Sequence, residues 1–292
     1  MKKKLAPVFV LLAGTLWGVI GIFTRHFNSR GLAALDIGWI RVFFGLLAVG
    51  IYLGLRHPAF LKIRIKDIWC FMGTGICSLF MMNLTYFSAL EHTSMAVAGV
   101  LLYTAPIFVM LMSAILFGEK ITIRKIFALL LAFFGCVLVA GIGRDSQVSL
   151  PGFLYGIGAG VSYSLYSVFG RYTLQRGYGS WTMIFYTFLF ALLAHSLTCN
   201  WQTMIDVLQV KELPWAAGIG IVTAFLPYLF YSLGLESMEN SRASVLASVE
   251  PVVATITGIL LFQEMLTVSA FFGIVLVLVA VIMLSLRKGE EV

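Results

Sequence analysis

The sequence predicts an all-α integral membrane protein of ten transmembrane helices, arranged as two inverted five-helix repeats around a central cavity. Three observations carry this. Sixty per cent of the 292 residues are hydrophobic and 11% are charged, a composition that would leave a very large apolar surface exposed in water and therefore calls for lipid as the solvent. Ten apolar stretches are long enough to cross a ~30 Å hydrocarbon core. The second half of the chain also repeats the first: Tyr86, Leu90, Glu91, Pro106, Glu119 and Thr122 recur 145 residues on as Tyr231, Leu235, Glu236, Pro251, Glu264 and Thr267.

The ten stretches run near Leu5–Phe23, Ala34–Leu55, Ile68–Leu90, Met95–Phe117, Ile123–Ile142, Gly152–Gly170, Trp181–Cys199, Trp215–Leu235, Ala243–Phe262 and Val268–Leu286. Turn residues mark the joints, among them Arg56-His57-Pro58, Gly118-Glu119-Lys120, Gly143-Arg144-Asp145, Gly177-Tyr178-Gly179 and Leu213-Pro214. The first stretch follows Lys2-Lys3-Lys4. It reads as a membrane helix rather than a signal peptide because it is long and because Ala13-Gly14, Phe23 and Arg25 repeat at Ala159-Gly160, Phe169 and Arg171, an offset of 146. The repeats divide the chain into 1–145 and 146–292.

Basic residues alternate between the two sides of these segments. Fifteen Lys and Arg fall on the side of the termini and four, Arg25, Arg30, Arg144 and Lys211, on the other. The bias predicts a multi-pass protein of the cytoplasmic membrane with both termini in the cytoplasm. Five helices per copy is an odd number, so the second copy enters from the opposite face. Two oppositely oriented copies of one structure can exchange inward-open and outward-open shapes around a site at their interface.

Two ionisable residues, Arg41 and Glu250, lie well inside segments. Charge in the bilayer interior costs about 2.5–3.5 kcal/mol on insertion scales, so both are expected to face the cavity. Arg41 would hold an anionic group such as a carboxylate. Glu250 would hold a substrate amine or exchange a coupling proton. The alternative is that they pair with each other or with backbone and fix helix register. Asn83 and Tyr86, Tyr163 and Tyr166, and Tyr228 and Tyr231 are each three apart and share a helix face. Trp17 and Tyr103 add two more polar-tipped rings, giving a candidate substrate-binding set of Trp17, Arg41, Asn83, Tyr86, Tyr103, Tyr163, Tyr166, Tyr228, Tyr231 and Glu250. Interhelical hydrogen bonding is the competing reading for each ring. Pro106, Pro227 and Pro251 lie within apolar helices as candidate hinges, each removing a backbone donor. Pro227 has no counterpart in the first half.

Other features read as scaffold. Gly14-xxx-Gly18 aligns with Gly160-xxx-Ser164, predicting close approach of the first and sixth helices. Glu119 and Glu264 sit beside helix N-termini that Thr122 and Thr267 can cap, a helix-terminal role to which a gating or ion role is the alternative. His195 is placed near a membrane boundary. Cys70, Cys77, Cys136 and Cys199 are widely spaced, with no CxxC pair or His/Cys cluster, so neither a metal nor a cofactor is expected. The chain has no nucleotide-binding, zinc-hydrolase or nucleophile-elbow pattern.

The run Tyr86-Phe87-Ser88-Ala89-Leu90, then Pro106, then Gly118-Glu119-Lys120-Ile121-Thr122, with its counterpart Tyr231 to Leu235, Glu250-Pro251 and Gln263 to Thr267, resembles the EamA-type module of the drug/metabolite transporter superfamily. Trp17-Gly18 and Arg41 fit the same pattern, and Gln263 stands where that family often has Gly. The resemblance covers nearly the whole chain. It implies a ten-helix bundle with a central cavity, moving a small metabolite, amino acid or drug-like molecule, often outward. The sequence thus points to a secondary transporter, an exporter working by alternating access rather than an enzyme. Its partners are a small-molecule substrate, the lipid bilayer and protons, with no nucleic acid. An uptake permease of the same fold, a membrane-embedded enzyme on a lipid-linked substrate and a non-transporting sensor are the alternatives.

Overall fold

A computed structural model describes residues 2–141 and 149–285. The Gly143-Arg144-Asp145 joint, the boundary at 145/146, and Leu286, Arg287 and Lys288 lie outside the described residues. Among the described residues the longer helices gather into ten segments: α1 (Leu5–Asn28), α2 (Ala34–Arg56), α3 (Ile65–Leu90), α4 (Met95–Phe117), α5 (Ile123–Ala140), α6 (Leu150–Gln175), α7 (Ser180–His195), α8 (Val210–Leu235), α9 (Asn240–Phe262) and α10 (Val268–Ser285), with short helices at Pro58–Leu61 and Trp201–Val207 between them. Eight are long and apolar enough to cross a membrane, and α7 is a shorter apolar helix. Each expected stretch coincides with one helical segment as far as the described residues run, but α6 is not among the eight and α7 ends at His195 rather than Cys199. The largest extensions beyond their expected bounds, in α1, α6 and α8, carry polar residues such as Arg25, Arg171 and Glu212 that hydropathy alone trims away.

The duplication holds at the level of helix ends. Adding 145 to the bounds of α3, α4 and α5 gives the bounds of α8, α9 and α10. Packing follows suit: α1 lies on α8 and α9, α6 lies on α3 and α4, and α5 pairs with α10. Charge pairs at the helix ends repeat too. Asp67, at the start of α3, accepts from Arg64 (2.7 Å), Arg176 (2.9 Å) and the Tyr178 hydroxyl (2.8 Å). Its counterpart Glu212, at the start of α8, is held by Arg30 (2.9 Å) and the His26 ring (2.8 Å). Both carboxylates are almost fully buried, and a carboxylate so placed requires such partners.

Local sequence explains the ends. Thr122 Oγ1 accepts from the Lys125 N–H and Thr267 Oγ1 from the Ala270 N–H, as expected of N-caps. α4 stops at Gly118 (φ 67°) and α9 at Gln263 (φ 56°), both left-handed. A side chain there crowds the following carbonyl, a conformation glycine adopts freely. Gln263→Gly is therefore expected to stabilise the chain by about 1 kcal/mol, read as a higher midpoint in denaturant titration, whereas Gly118→Gln should lower it by a similar amount.

α4 and α9 are each broken at mid-depth. The halves are Met95–Leu102 and Ala105–Phe117 in α4, and Asn240–Ala247 and Glu250–Phe262 in α9. Pro106 and Pro251 sit in the first turn of the second halves, where a missing N–H is tolerated, rather than inside a continuous kinked helix. Each proline still leaves the carbonyl four residues back, Leu102 or Ala247, without its helical donor. Those breaks correct one expectation. Gly14 and Gly18 pack on α9, against the Ala247 carbonyl, Val249 and Val253, and Gly160 packs on α4 against Thr104 and the Leu101 carbonyl. The small-residue faces serve the broken helices. α1 and α6 instead meet through the rings of Trp17 and Tyr163.

Candidate functional site

Trp17 stands at the middle of the bundle with rings on three sides. Its indole lies edge-on to Tyr163 (6.2 Å between centroids) and Tyr228 (5.2 Å), and tilted against Tyr231 (5.5 Å). Tyr166 packs edge-on to Tyr228 at 5.0 Å. Edge-to-face arrangements set the positive rim of one ring over the negative face of the next. Trp17 and Tyr163 are counterparts at the 146 offset, so the cluster lies where the two halves meet. Most of its hydroxyls are committed: Tyr166 to Ser232 Oγ and Tyr231 to Ser167 Oγ, both at 2.8 Å. The Trp17 Nε1–H is buried and has no acceptor among the described residues.

Glu250 opens the second half of α9, half-buried, with the Tyr163 hydroxyl 3.4 Å from Oε2. Tyr86, Tyr103 and Tyr228 are within its electrostatic reach. Arg41 is buried, but no ion pair joins it to Glu250 among the described residues. Its Nε and Nη2 both donate to the Thr223 carbonyl, at 3.1 and 2.6 Å, and the guanidinium lies 5.9 Å from the Tyr228 ring. The reason lies in Pro227. In an α-helix the Thr223 carbonyl would accept from residue 227, which here has no N–H. α8 widens into a π-helical stretch at Ile221–Phe225, and Arg41 supplies the missing donors. Arg41 thus occupies the backbone-pairing role the sequence left as its alternative.

A double-mutant cycle checks this arrangement. Arg41→Lys keeps the charge but cannot aim two N–H groups at one carbonyl, and should cost about 2 kcal/mol in unfolding free energy. In a Pro227→Ala background the restored N–H takes over part of that role, and the cost should fall to about half.

The structure brings together Trp17, Tyr163, Tyr166, Tyr228 and Tyr231, with Glu250, Tyr103 and Tyr86 alongside. It leaves Asn83 out. That side chain meets His195 Nε2 at 3.1 Å near Gly38 of α2, with Phe80 edge-on to the imidazole. His195 closes α7 fully buried, and its Nδ1 has no partner among the described residues.

The two ends of the site differ. Toward the end that carries Glu119, a cavity of about 30 Å³ remains under the rings, lined by Pro106, Tyr163, Ser167, Tyr231 and Ser244 among others. That is room for a water or two, not for a metabolite. Toward the end that carries Glu264 the space is open. Gly21, one turn beyond Trp17, and Gly99, one turn beyond Tyr103, would each hold a Cβ with no atom within 4 Å. The first half of α9 (Asn240–Ala247) packs on Ala105–Phe117 of α4, whereas the counterpart pair, Met95–Leu102 and Glu250–Phe262, has no comparable packing.

A bundle of apolar helices with an aromatic chamber at mid-depth, open to one end, defines a multi-pass membrane protein of transporter type. The EamA-like transporter family matches residues 4–141 and again 150–286, and the chain belongs to that family. It is 27% identical over 280 residues to an uncharacterized transporter of Archaeoglobus fulgidus, covering 94% of this chain and 93% of the relative. It is 23% identical over 294 residues to the uncharacterized transporter YwfM of Bacillus subtilis, covering 100% and 97%. Similarity to the aromatic amino acid exporter YddG of Ancylobacter novellus is 28% over 262 residues, 88% of each chain. A crystal structure with 22% identity superimposes with a TM-score of 0.77 over 95% of both chains, showing the same fold.

Proposed function

We propose that this protein is a secondary transporter that exports a small amine-bearing metabolite with an aromatic or apolar body, an amino acid foremost, by alternating access between two inverted repeats. The observation that carries the reading is the asymmetry of a symmetric machine: one duplicated bundle, closed beneath its central rings at one end and open above them at the other. A fixed scaffold built from two copies has no need for its two ends to differ, but a protein that exchanges them does.

The chemistry of the chamber supports the substrate class. Edge-on rings offer an apolar cradle, Glu250 offers a single anionic partner for an ammonium group, and the Trp17 Nε1–H offers a donor for a carboxylate. The exporter name of one relative points the same way. Glu250 takes a proton as the ammonium group leaves, which couples export to proton entry. The excess of Lys and Arg around Glu119 supports a cytoplasmic position for that end and both termini, with the chamber facing out. Halves 1–145 and 146–292 are the two moving repeats, with Pro106, Pro227 and Pro251 at the breaks where they bend.

Efflux from preloaded cells tests this. Cells expressing the chain, loaded with labelled phenylalanine, tyrosine or tryptophan, are expected to lose label faster than cells carrying an empty vector, and faster still when the medium is acidic. Equal rates for all three, with the protein present in the membrane, would count against the assignment.

A further inference from the structure

The closed end is laced by one carboxylate. Glu119 reaches from the end of α4 across to α9, where it accepts from the Asn240 N–H (2.7 Å), the Ser241 N–H (3.1 Å) and the Ser241 hydroxyl (2.5 Å). It caps the N-terminus of the half-helix Asn240–Ala247, whose orphan donors and positive dipole end suit a carboxylate. Arg171 braces the same corner through Asn240 Oδ1 (3.0 Å) and the Met238 carbonyl.

At the open end the counterpart carboxylate is elsewhere. Glu264 is 145 residues after Glu119, and Asn240 and Ser241 are 145 after Met95 and Ala96. Yet Glu264 does not cap the Met95–Leu102 half-helix. It pairs with Arg25, the counterpart of Arg171, and lies folded against Gly258. Met95 is left 73% exposed, and Ser94 Oγ caps that half-helix through the Val97 N–H.

Resting on the alternating-access reading, we infer that Glu119 and Glu264 are alternating latches. In the opposite conformation Glu119 releases the Asn240 half-helix, and Glu264 leaves its place beside Gly258 to cap the N–H groups of Met95 and Ala96, closing the end that is open here. The two carboxylates are gate-positioning residues and touch no substrate. Gly258 keeps the parked position available, since a Cβ there would stand 2.3 Å from Glu264 Oε2.

Cysteine accessibility in lipid nanodiscs tests the latches, because both membrane faces are open to reagent and no substrate is needed. The full chain, with its four native cysteines replaced by alanine, carries one reporter, Gly99→Cys at the open mouth or its counterpart Ser244→Cys at the closed one, reacted with a water-soluble maleimide. Glu119→Gln should slow Gly99→Cys and speed Ser244→Cys, each about fivefold, the population shift that loss of one charged cap produces. Glu264→Gln should do the reverse. Gly258→Ala, which drives Glu264 from its parked position, should slow Gly99→Cys. Glu119→Gln and Glu264→Gln moving a reporter in the same direction, or leaving both unmoved, would overturn the proposal. If Glu119→Gln does not fold, the opposite shifts of Glu264→Gln and Gly258→Ala decide alone. The labelling reports conformation without flux, so the latches and the transport reading fail separately.

Discussion

Glu250→Gln is expected to lower substrate flux in proteoliposomes by about two orders of magnitude while leaving the unfolding midpoint nearly unchanged. The side chain is half-buried at the middle of the bundle and, among the described residues, has one hydrogen bond, the long one from Tyr163. A carboxylate so lightly partnered contributes little to stability, and the fold keeps it in spite of its desolvation. Removal of its charge strips a substrate ammonium group of its counterion in a low-dielectric chamber, where such a pair counts far more than in water. Tyr163→Phe, which removes the hydroxyl that donates to Oε2, should reduce flux several-fold rather than abolish it. A Glu250→Gln variant with wild-type flux would remove Glu250 from the site, and with it the coupling of export to protons.

The largest loss of stability is expected from Gly273→Val, about 3 kcal/mol in the unfolding free energy measured by detergent titration in mixed micelles. α5 and α10 pack closely against each other. They approach backbone to backbone: a Cβ at Gly273 would stand 2.6 Å from the Gly135 carbonyl and 2.8 Å from the Val139 nitrogen, and a Cβ at Gly135 would stand 2.8 Å from the Gly273 carbonyl. Backbone atoms cannot swing aside as a side-chain tip can, so the helices must part and forfeit the close dispersion contacts along their length. Gly99→Ala is the matched control. Its Cβ meets nothing, and alanine is the better helix former, so the change should be neutral or slightly stabilising. A similar loss at both positions would contradict the close-approach account, because neither helix propensity nor a steric contact predicts a loss at Gly99.

Much of this architecture is legible in the sequence because its signals are local or periodic. Hydropathy gives the ends of α4 to the residue, Thr122 and Thr267 announce their own caps, and the recurring Tyr, Pro and Glu positions reveal the duplication. The aromatic part of the site follows from the same logic, since rings three apart on an apolar helix turn one face inward. Contacts between distant parts of the chain leave no such mark. Glu119 sits next to Thr122 in sequence, and its role beside that helix start looks complete, yet its carboxylate crosses to a helix 121 residues away. Arg41 reads as an anion site because a buried guanidinium asks for negative charge. A carbonyl orphaned by Pro227 satisfies the same need, and joining the two requires knowing that α2 and α8 touch. Asn83 shares a helical face with Tyr86 on paper, and both lie in the α-helical stretch Met81–Leu90, but the amide meets His195 of α7 instead of the rings, a contact between distant parts of the chain. The Asp67 and Glu212 pairings leave no repeat signal for a simpler reason, because the two acids differ in type and Arg30 and Arg176 correspond at the other offset.

The account stands on the claim that one chamber is offered alternately to the two sides of the membrane. Trans-acceleration measures this directly: proteoliposomes holding the purified chain are loaded with labelled phenylalanine, and efflux is followed with and without unlabelled phenylalanine outside. Alternating access predicts that outside ligand speeds the exit of label several-fold, because a loaded chamber returns without waiting for the empty protein to turn over, and that Glu250→Gln removes the effect. Rapid efflux indifferent to outside ligand would describe an open pore and contradict the account.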